Sequence, residues 1–299
     1  MSITVLGVVG SARPWGNSEI LVRQALRAAQ AEGAATQVVR LTDLRIEPCT
    51  GCMRCVIGGL TCPLDDDMTW LIATIQAAGA LVLAAPIYWL GPAARVKLVL
   101  DRLLMVTGRV DEPLPPLRPA VTVAAAGLEG WRGVALPFLN ALVAGFGFRP
   151  VDSLVAVAPG PGEVLLDDEL MARMWAGGRR LAQKEVEPFP PASTACPVCH
   201  CEAFVLAGNR ATCPICGREG AVEMDGGTLR LHFGPVEGHQ RWTPEGLRAH
   251  MVDWVQATGP RYSSHRAEIK ARRIPYQRMR VEWLCPPRSP GTAPYQEEG

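Results

Sequence analysis

Apolar and polar positions change period in a regular way along the first 184 residues. Ile3–Val9 is a short β-branched run, and Ile20, Leu21, Ala25, Leu26 and Ala29 share one stripe of a helix predicted over Glu19–Ala31. Gln37–Leu41 predicts a second strand and Met68–Ala78 a second helix. Ala80–Ala85 is continuously apolar, the pattern of a parallel strand buried on both faces. A helix over Ala93–Leu104, a strand over Val121–Ala126, a helix ending near Ala144, a strand over Val151–Val157 and a helix over Leu166–Lys184 complete the series. Strands alternating with helices in this way predict an α/β fold, a doubly wound five-stranded parallel sheet with helices on both faces.

The pattern changes after Lys184. Glu187–Ser193 is proline-rich and reads as a linker. A short β-rich stretch follows, then a helix near Thr243–Thr258 with Leu247, Met251, Trp254 and Val255 on one face. Arg261–Arg280 is rich in arginine with Tyr262 and Tyr276 interleaved, and the residues after Cys285 read as a flexible tail. The expected division is a sheet domain over 1–186, a linker over 187–195, a small ribbon over 196–235 and a helical, basic C-terminal extension over 236–299. The basic arm is expected to wrap a neighbouring subunit or the sheet domain, with nucleic-acid binding as the less favoured reading.

Composition narrows the partners. The formal net charge of the 299-residue chain is +1, so neither nucleic acid nor a membrane surface is the expected main partner. No apolar run is long enough to span a bilayer, and no basic region precedes the opening apolar run as in a signal peptide. Ten cysteines, nearly all at two-residue spacings, read as metal ligands in a reducing cytoplasm.

The unusual residues fall where the strands end. The first strand runs into Gly10-Ser-Ala-Arg-Pro-Trp-Gly-Asn-Ser18 and then a helix. Backbone N–H groups at that helix start, the side chains of Ser11, Asn17 and Ser18, and the charge of Arg13 suit a phosphate; the plainer reading is a capped turn. The third strand ends in Pro86-Ile-Tyr-Trp-Leu-Gly91, and the fourth in Gly127-Leu-Glu-Gly130. Ligands of such sheets sit at the carboxyl ends of the strands. After the second strand come Cys49, Cys52, Cys55 and Cys62. Three closely spaced thiolates plus a fourth suit an iron–sulfur cluster; zinc, a disulfide pair or idle thiols are the alternatives. Asp65–Asp67 read as the cap and acidic first turn of the next helix. Lys97, Asp101 and Arg102, and likewise Arg179 and Arg180, read as solvated helix faces. Cys196, Cys199, Cys213 and Cys216 form two C-x2-C pairs, a tetrahedral four-thiolate site for zinc or, alternatively, a single iron; Cys201 is the competitor to Cys199.

GSARPWGNS, PCTGCMRC with its fourth cysteine and DDDM, and APIYWLGPAARVKLVLDR occur in that order, and the stretch Met1–Lys184 resembles the iron–sulfur flavoproteins of the NADPH-dependent FMN reductase group. The resemblance implies a flavodoxin-like fold and an NAD(P)H-dependent FMN oxidoreductase. It places the FMN phosphate on Ser11, Arg13, Asn17 and Ser18. The isoalloxazine would lie against Pro86, Ile87, Tyr88 and Trp89, with Ala126, Gly127 and Gly130 closing over it. It puts a 4Fe–4S cluster on Cys49, Cys52, Cys55 and Cys62. It also implies dimers or tetramers in which flavin and cluster approach across an interface. Electrons would pass from flavin through the cluster to a one-electron acceptor, or to a small acceptor such as a quinone. An electron carrier or redox-sensing interaction protein is the alternative, as is a nucleic-acid-binding ribbon protein on a reused scaffold. Apart from the resemblance, Tyr88 and Trp89 read as core or rim packing.

Overall fold

The structure, a computed structural model, describes residues 2–56, 61–107, 117–187, 195–234, 241 and 244–279. Most of the expected linker, and the tail with Cys285, lie outside them. The chain opens with β1 (Thr4–Val9), α1 (Asn17–Ala31) and β2 (Ala35–Arg40). Next come α2 (Met68–Ala77), β3 (Ala80–Tyr88), the two-residue β4 (Gly91–Pro92), α3 (Ala94–Asp101) and α4 (Leu104–Thr107). β5 (Arg118–Ala126), α5 (Ala135–Gly145), β6 (Phe148–Val157) and α6 (Asp168–Ala182) complete the sheet domain.

The sheet order is β2-β1-β3-β5-β6, all parallel, with β4 folding back antiparallel on β3. This is the flavodoxin-type order, whose topological switch point lies between β1 and β3. Continuous apolar runs serve two cores at once. Leu6, Val8, Leu81, Leu83 and Ala124 face the side carrying α2, α3 and α5; Val5, Val9, Val82, Val121 and Val123 face α1 and α6.

The strands run longer than apolar periodicity predicts, continuing through prolines near their ends. β3 continues through Pro86, which pairs with Ala125 of β5 beyond the last β1 partner, Ala84. β5 and β6 begin earlier than expected, with Pro119 and Pro150 inside their first turns of pairing. A proline at a strand end removes a donor that the ladder does not need there. The single helix expected over Ala93–Leu104 is broken, since α3 stops at Asp101 and Arg102 turns inward.

The ribbon is an antiparallel meander, β7 (Val205–Ala207), β8 (Arg210–Thr212), β9 (Glu219–Asp225) and β10 (Thr228–His232), in the order β10-β9-β8-β7. It docks on the sheet domain through a buried amide. Asn140 of α5 accepts from Thr122 and Ser153 and donates through Nδ2 to the Cys199 carbonyl at 2.6 Å. α7 (Pro244–Ala249) and a π-helical turn (His250–Gln256) follow. The expected apolar face splits: Met251 and Val255 are buried, and Trp254 is exposed. A second unit begins at Ala257 and contains α8 (Thr258–Arg278), which buries no residue and pairs Arg272 with Glu268 at 2.6 Å.

Candidate functional site

The loop from β1 to α1 is built to leave donors open. Gly16 caps α1 without a side-chain hydrogen bond. The N–H groups of Asn17, Ser18 and Glu19 therefore have no helical carbonyl behind them, which makes an anion site. Ser11 and Ser18 are buried beside it, and the Ser11 Oγ accepts from Arg13 N at 3.1 Å. Arg13 itself is exposed. The Asn17 side chain departs from expectation. Its Nδ2 donates to the carbonyls of Ala158 and Gly160, and its Oδ1 accepts from Gly162 N at 2.8 Å. Its amide is thus spent on tethering the loop after β6, and only its backbone N–H faces the anion site.

Glu19 and Arg40, not singled out by sequence, hold this loop. Arg40 of β2 donates to the Ser11 carbonyl at 3.0 Å and to Glu19 at 2.6 Å. Glu19 also accepts from Trp15 N and from Arg23. Burial pushes the Glu19 carboxyl up, but the hydrogen bonds of Arg40, Trp15 N–H and Arg23 outweigh it and bring the pKa down to about 2. A depressed carboxyl contributes stability above its unfolded value, 4.5, and loses it as pH falls through the folded value. Between pH 5 and 2 the protein is expected to lose about 3 kcal/mol from this group. Thermal melting of Glu19→Gln should show a flatter pH profile in that window. Equal slopes would remove Glu19 from this role.

The loops after β3 and β5 lock together. Trp89 and Leu90 turn the chain between Tyr88 and Gly91 with φ of 48° and 65°, a mirror-image hairpin turn that ordinarily takes Asn-Gly. Bulky residues there store strain, as at many functional sites. Val134 N donates to the Leu90 carbonyl at 2.8 Å, and Gly133, at φ 55°, has no room for a Cβ, which would sit 2.1 Å from Leu90 O. Trp89, 91 % exposed, meets Trp131 edge-on with ring centroids 6.3 Å apart. Tyr88 and Leu128 are also exposed, Pro86 and Ile87 are half-buried and Ala126 is buried, while Gly127 and Gly130 face open space. The result is an uncovered aromatic shelf at the carboxyl edge of the sheet, and core packing of Tyr88 and Trp89 is excluded.

Cys49, Cys52, Cys55 and Cys62 line one small cavity, with Arg102, Leu104 and Met105 as its inner wall. Cys49 and Cys52 are exposed; Cys55 and Cys62 are half-buried. The Arg54 N–H and Thr50 lower the Cys52 thiol, whereas burial and then Cys62 raise that of Cys55. Arg102 is 2 % exposed, so it is not on the solvated face its spacing predicts; Lys97 and Asp101 do pair there. Its guanidinium pairs with buried Asp66 and donates to the Cys62 Sγ at 3.4 Å. Asp66 also accepts from Glu47 N and Met68 N, and Asp67 accepts from Arg45 N. Asp66 and Asp67 therefore tie the cysteine loop, and the α2 N-terminus is capped by Asp66 at Met68 N rather than by the side chain of Asp67. Burial raises the Asp66 carboxyl, but Arg102 and these N–H groups outweigh it and hold it below its ordinary range. Met251 and Val255 pack on Val56 and Cys55, so the C-terminal segment covers part of the loop.

In the ribbon, Cys196, Cys199, Cys213 and Cys216 are buried with all four sulfurs within 4.8 Å of one another. The Cys201 Sγ turns away to the Ala203 carbonyl. Contact among the four thiols, Cys196 first, lowers Cys213 and raises Cys199 and Cys216; the gathering of their sulfurs is what a tetrahedral cation would need. The two knuckles are near copies. His200 N donates to Cys196 O and Gly217 N to Cys213 O, both at 2.9 Å. Both residues have positive φ, 57° and 75°.

Known proteins share these features unevenly. An iron–sulfur flavoprotein of Methanocaldococcus jannaschii is 39 % identical over 33 % of this chain, which spans half of that protein's length. An iron–sulfur flavoprotein of Archaeoglobus fulgidus is 28 % identical over 60 % of this chain and 78 % of its own. A flavone synthase of Aspergillus candidus is 29 % identical over 84 % of this chain and 88 % of its own. The solved structure of a flavone reductase superposes with TM-score 0.75 at 22 % identity, covering 95 % of this chain and all of that one, and so shares its fold. Among the described residues no helix is long and apolar enough to cross a membrane. The family model for NADPH-dependent FMN reductase matches residues 3–161, which hold the switch-point loop, the cysteine loop and the aromatic shelf. The chain is therefore an oxidoreductase that belongs to the NADPH-dependent FMN reductase family.

Proposed function

We propose that the protein oxidises NAD(P)H with FMN held at the switch point and passes electrons through a 4Fe–4S cluster on Cys49, Cys52, Cys55 and Cys62 to a one-electron acceptor or to a small acceptor such as a quinone. The observation that carries this reading is the gathering of all four cysteines around one cavity, on the loop that leaves the carboxyl end of β2, while the anion loop and the aromatic shelf leave the carboxyl ends of β1 and β3. The phosphate would rest on the Ser11 and Ser18 hydroxyls, the first-turn N–H groups of α1 and the Arg13 guanidinium. The ring would lie against Pro86, Ile87, Tyr88 and Trp89 with Ala126, Gly127 and Gly130 opposite. When bound, FMN and a cluster together supply the conversion of a hydride's electron pair into single electrons.

The donor set favours a cluster over a single ion. One tetrahedral ion with metal–sulfur bonds of about 2.3 Å holds thiolates about 3.8 Å apart. Among the described residues only the ribbon's cysteines gather that closely, so zinc is proposed there and a larger group at Cys49–Cys62. The uncovered aromatics Trp15, Tyr88, Trp89 and Trp131 suit a homo-oligomer, dimer or tetramer, in which a second subunit covers the shelf.

A second reading, of the substrate, is favoured by the extent of the likenesses. The flavone synthase match extends over the ribbon, whereas the Methanocaldococcus match covers a third of the chain. On that reading the organic redox partner is an uncharged aromatic ketone of the flavone type.

Anaerobic purification with flavin, iron and acid-labile sulfide assays tests the main reading. FMN and about four sulfides per chain are expected for a cubane. Cys52→Ala is expected to lose the sulfide, keep FMN and fail with one-electron acceptors while still oxidising NAD(P)H. Absence of sulfide in the native protein, or recovery of FAD, would overturn it.

A further inference from the structure

A cavity of about 520 Å³ lies between the ribbon and the β6 edge of the sheet, outside both the aromatic shelf and the cysteine loop. Its size is that of a small-molecule site. One wall is the segment Arg132–Val134, the same segment that locks the Trp89–Leu90 turn. The opposite wall is the first knuckle of the ribbon, and His200 stands on it.

His200 is the unexplained residue. At the matching position the second knuckle has Gly217, which carries its positive φ without a Cβ. The first knuckle instead places an imidazole on a left-handed backbone, 8 % exposed, with its Nε2 buried and lacking a hydrogen-bond partner. The position is held rigidly, because Asn140 grips the adjoining Cys199 carbonyl from within the sheet domain. A strained residue with an unspent polar atom on a cavity wall has the form of a ligand contact.

The lining defines the occupant. The lining carries two arginines, Arg132 and Arg173, and two carboxylates, Asp152 and Glu202; Arg132 pairs with Glu129 at 3.1 Å, and Arg173 engages Asp152 at two points, 2.9 and 2.6 Å. No net charge is left for an anion or a cation. Val134, Pro137 and Val155 add apolar wall. We propose that this cavity binds an uncharged aromatic molecule of two or three rings whose carbonyl or hydroxyl hydrogen-bonds to the Nε2 of His200. The choice of a flavone-type ring system, and of that molecule as the organic redox partner, rests on the proposed function; the site itself, a cavity with the His200 Nε2 on its wall, does not.

The test is equilibrium dialysis of flavone against the full-length, FMN-loaded, oxidised protein, with no reductant present. FMN loading is read separately by absorbance, so a failure of the flavin assignment is visible as such. Saturable binding to the wild type is expected. His200→Gly should weaken it about tenfold, by loss of one hydrogen bond to a buried group, while metal content is unchanged and the melting temperature is equal or higher, since strain is relieved. Ala203→Trp, which fills the cavity from an exposed position, should abolish binding with the flavin retained. Flavone affinity unchanged in both variants, or no saturable binding to the wild type, would overturn the proposal.

Discussion

The Cys213→Ser protein is expected to lose the ribbon's metal and, with it, the fold of residues 195–234. Among its described residues the ribbon's core is five cysteines and the small Ala195 and Ala211, with Val198, Phe204 and Ile215 packed against the cysteines, and its strands β7 and β10 are largely exposed. A module this small depends on a staple. Structural zinc in comparable modules contributes about 10–16 kcal/mol of apparent binding free energy, most of which is folding free energy. Without a cation, four buried thiols remain in mutual contact and the Asn140 amide loses the Cys199 carbonyl. Metal analysis should fall from one zinc per chain to none, and limited proteolysis should cut within the ribbon. FMN should remain, because the anion loop and the shelf lie on other elements. An intact ribbon in that variant would refute a metal staple, and iron with a thiolate charge-transfer band would make the site a redox relay.

Arg102→Ala is expected to be the most costly single change in the sheet domain, at about 3–5 kcal/mol. The guanidinium pairs with Asp66 where both side chains are almost entirely buried, and it also reaches the Glu47 carbonyl and the Cys62 sulfur. Removing it leaves a carboxylate without its cation in a site whose geometry favours the charged form. The loop carrying all four cysteines is tied by the same group, so cluster content should fall together with stability. Asp66→Ala with Arg102→Ala should be less destabilised than the sum of the single variants, since neither charge is then stranded. Denaturant unfolding of the four proteins, with sulfide per chain as a second readout, measures this. Additive losses, or full cluster content in Arg102→Ala, would show that the pair does not organise the loop.

Much of this molecule was legible along the chain. Short, largely apolar runs separated by amphipathic helices imply a parallel sheet with helices on both faces, and the flavodoxin-type order agrees. Two C-x2-C pairs, with Cys199 and Cys213 14 positions apart, imply a closed four-thiolate site, and the structure brings those sulfurs together. The switch-point loop, the aromatic turn and the cysteine loop fall at strand ends, which the sheet assembles on one edge. Each of these features is local, set by periodicity or spacing within a few residues, and needs no distant partner to be read.

Other features depend on partners far apart in the chain. The spacing of Lys97, Asp101 and Arg102 describes one polar helix face, but Arg102 meets Asp66, 36 residues earlier, and becomes the inner wall of the cysteine cavity. Asn17 reads as a phosphate donor until the loop 141 residues later claims its amide. Glu19 is an ordinary first-turn acid until Arg40 crosses from β2 to meet it. His200 looks like the neighbour of a ligand, and only the docking of the ribbon on β6 gives it a cavity. Local pattern determines which face of an element is apolar, whereas the pairing of buried charges and amides depends on which elements the fold places side by side. A buried polar group must find its partner wherever the chain brings one, and that choice belonged to the tertiary structure.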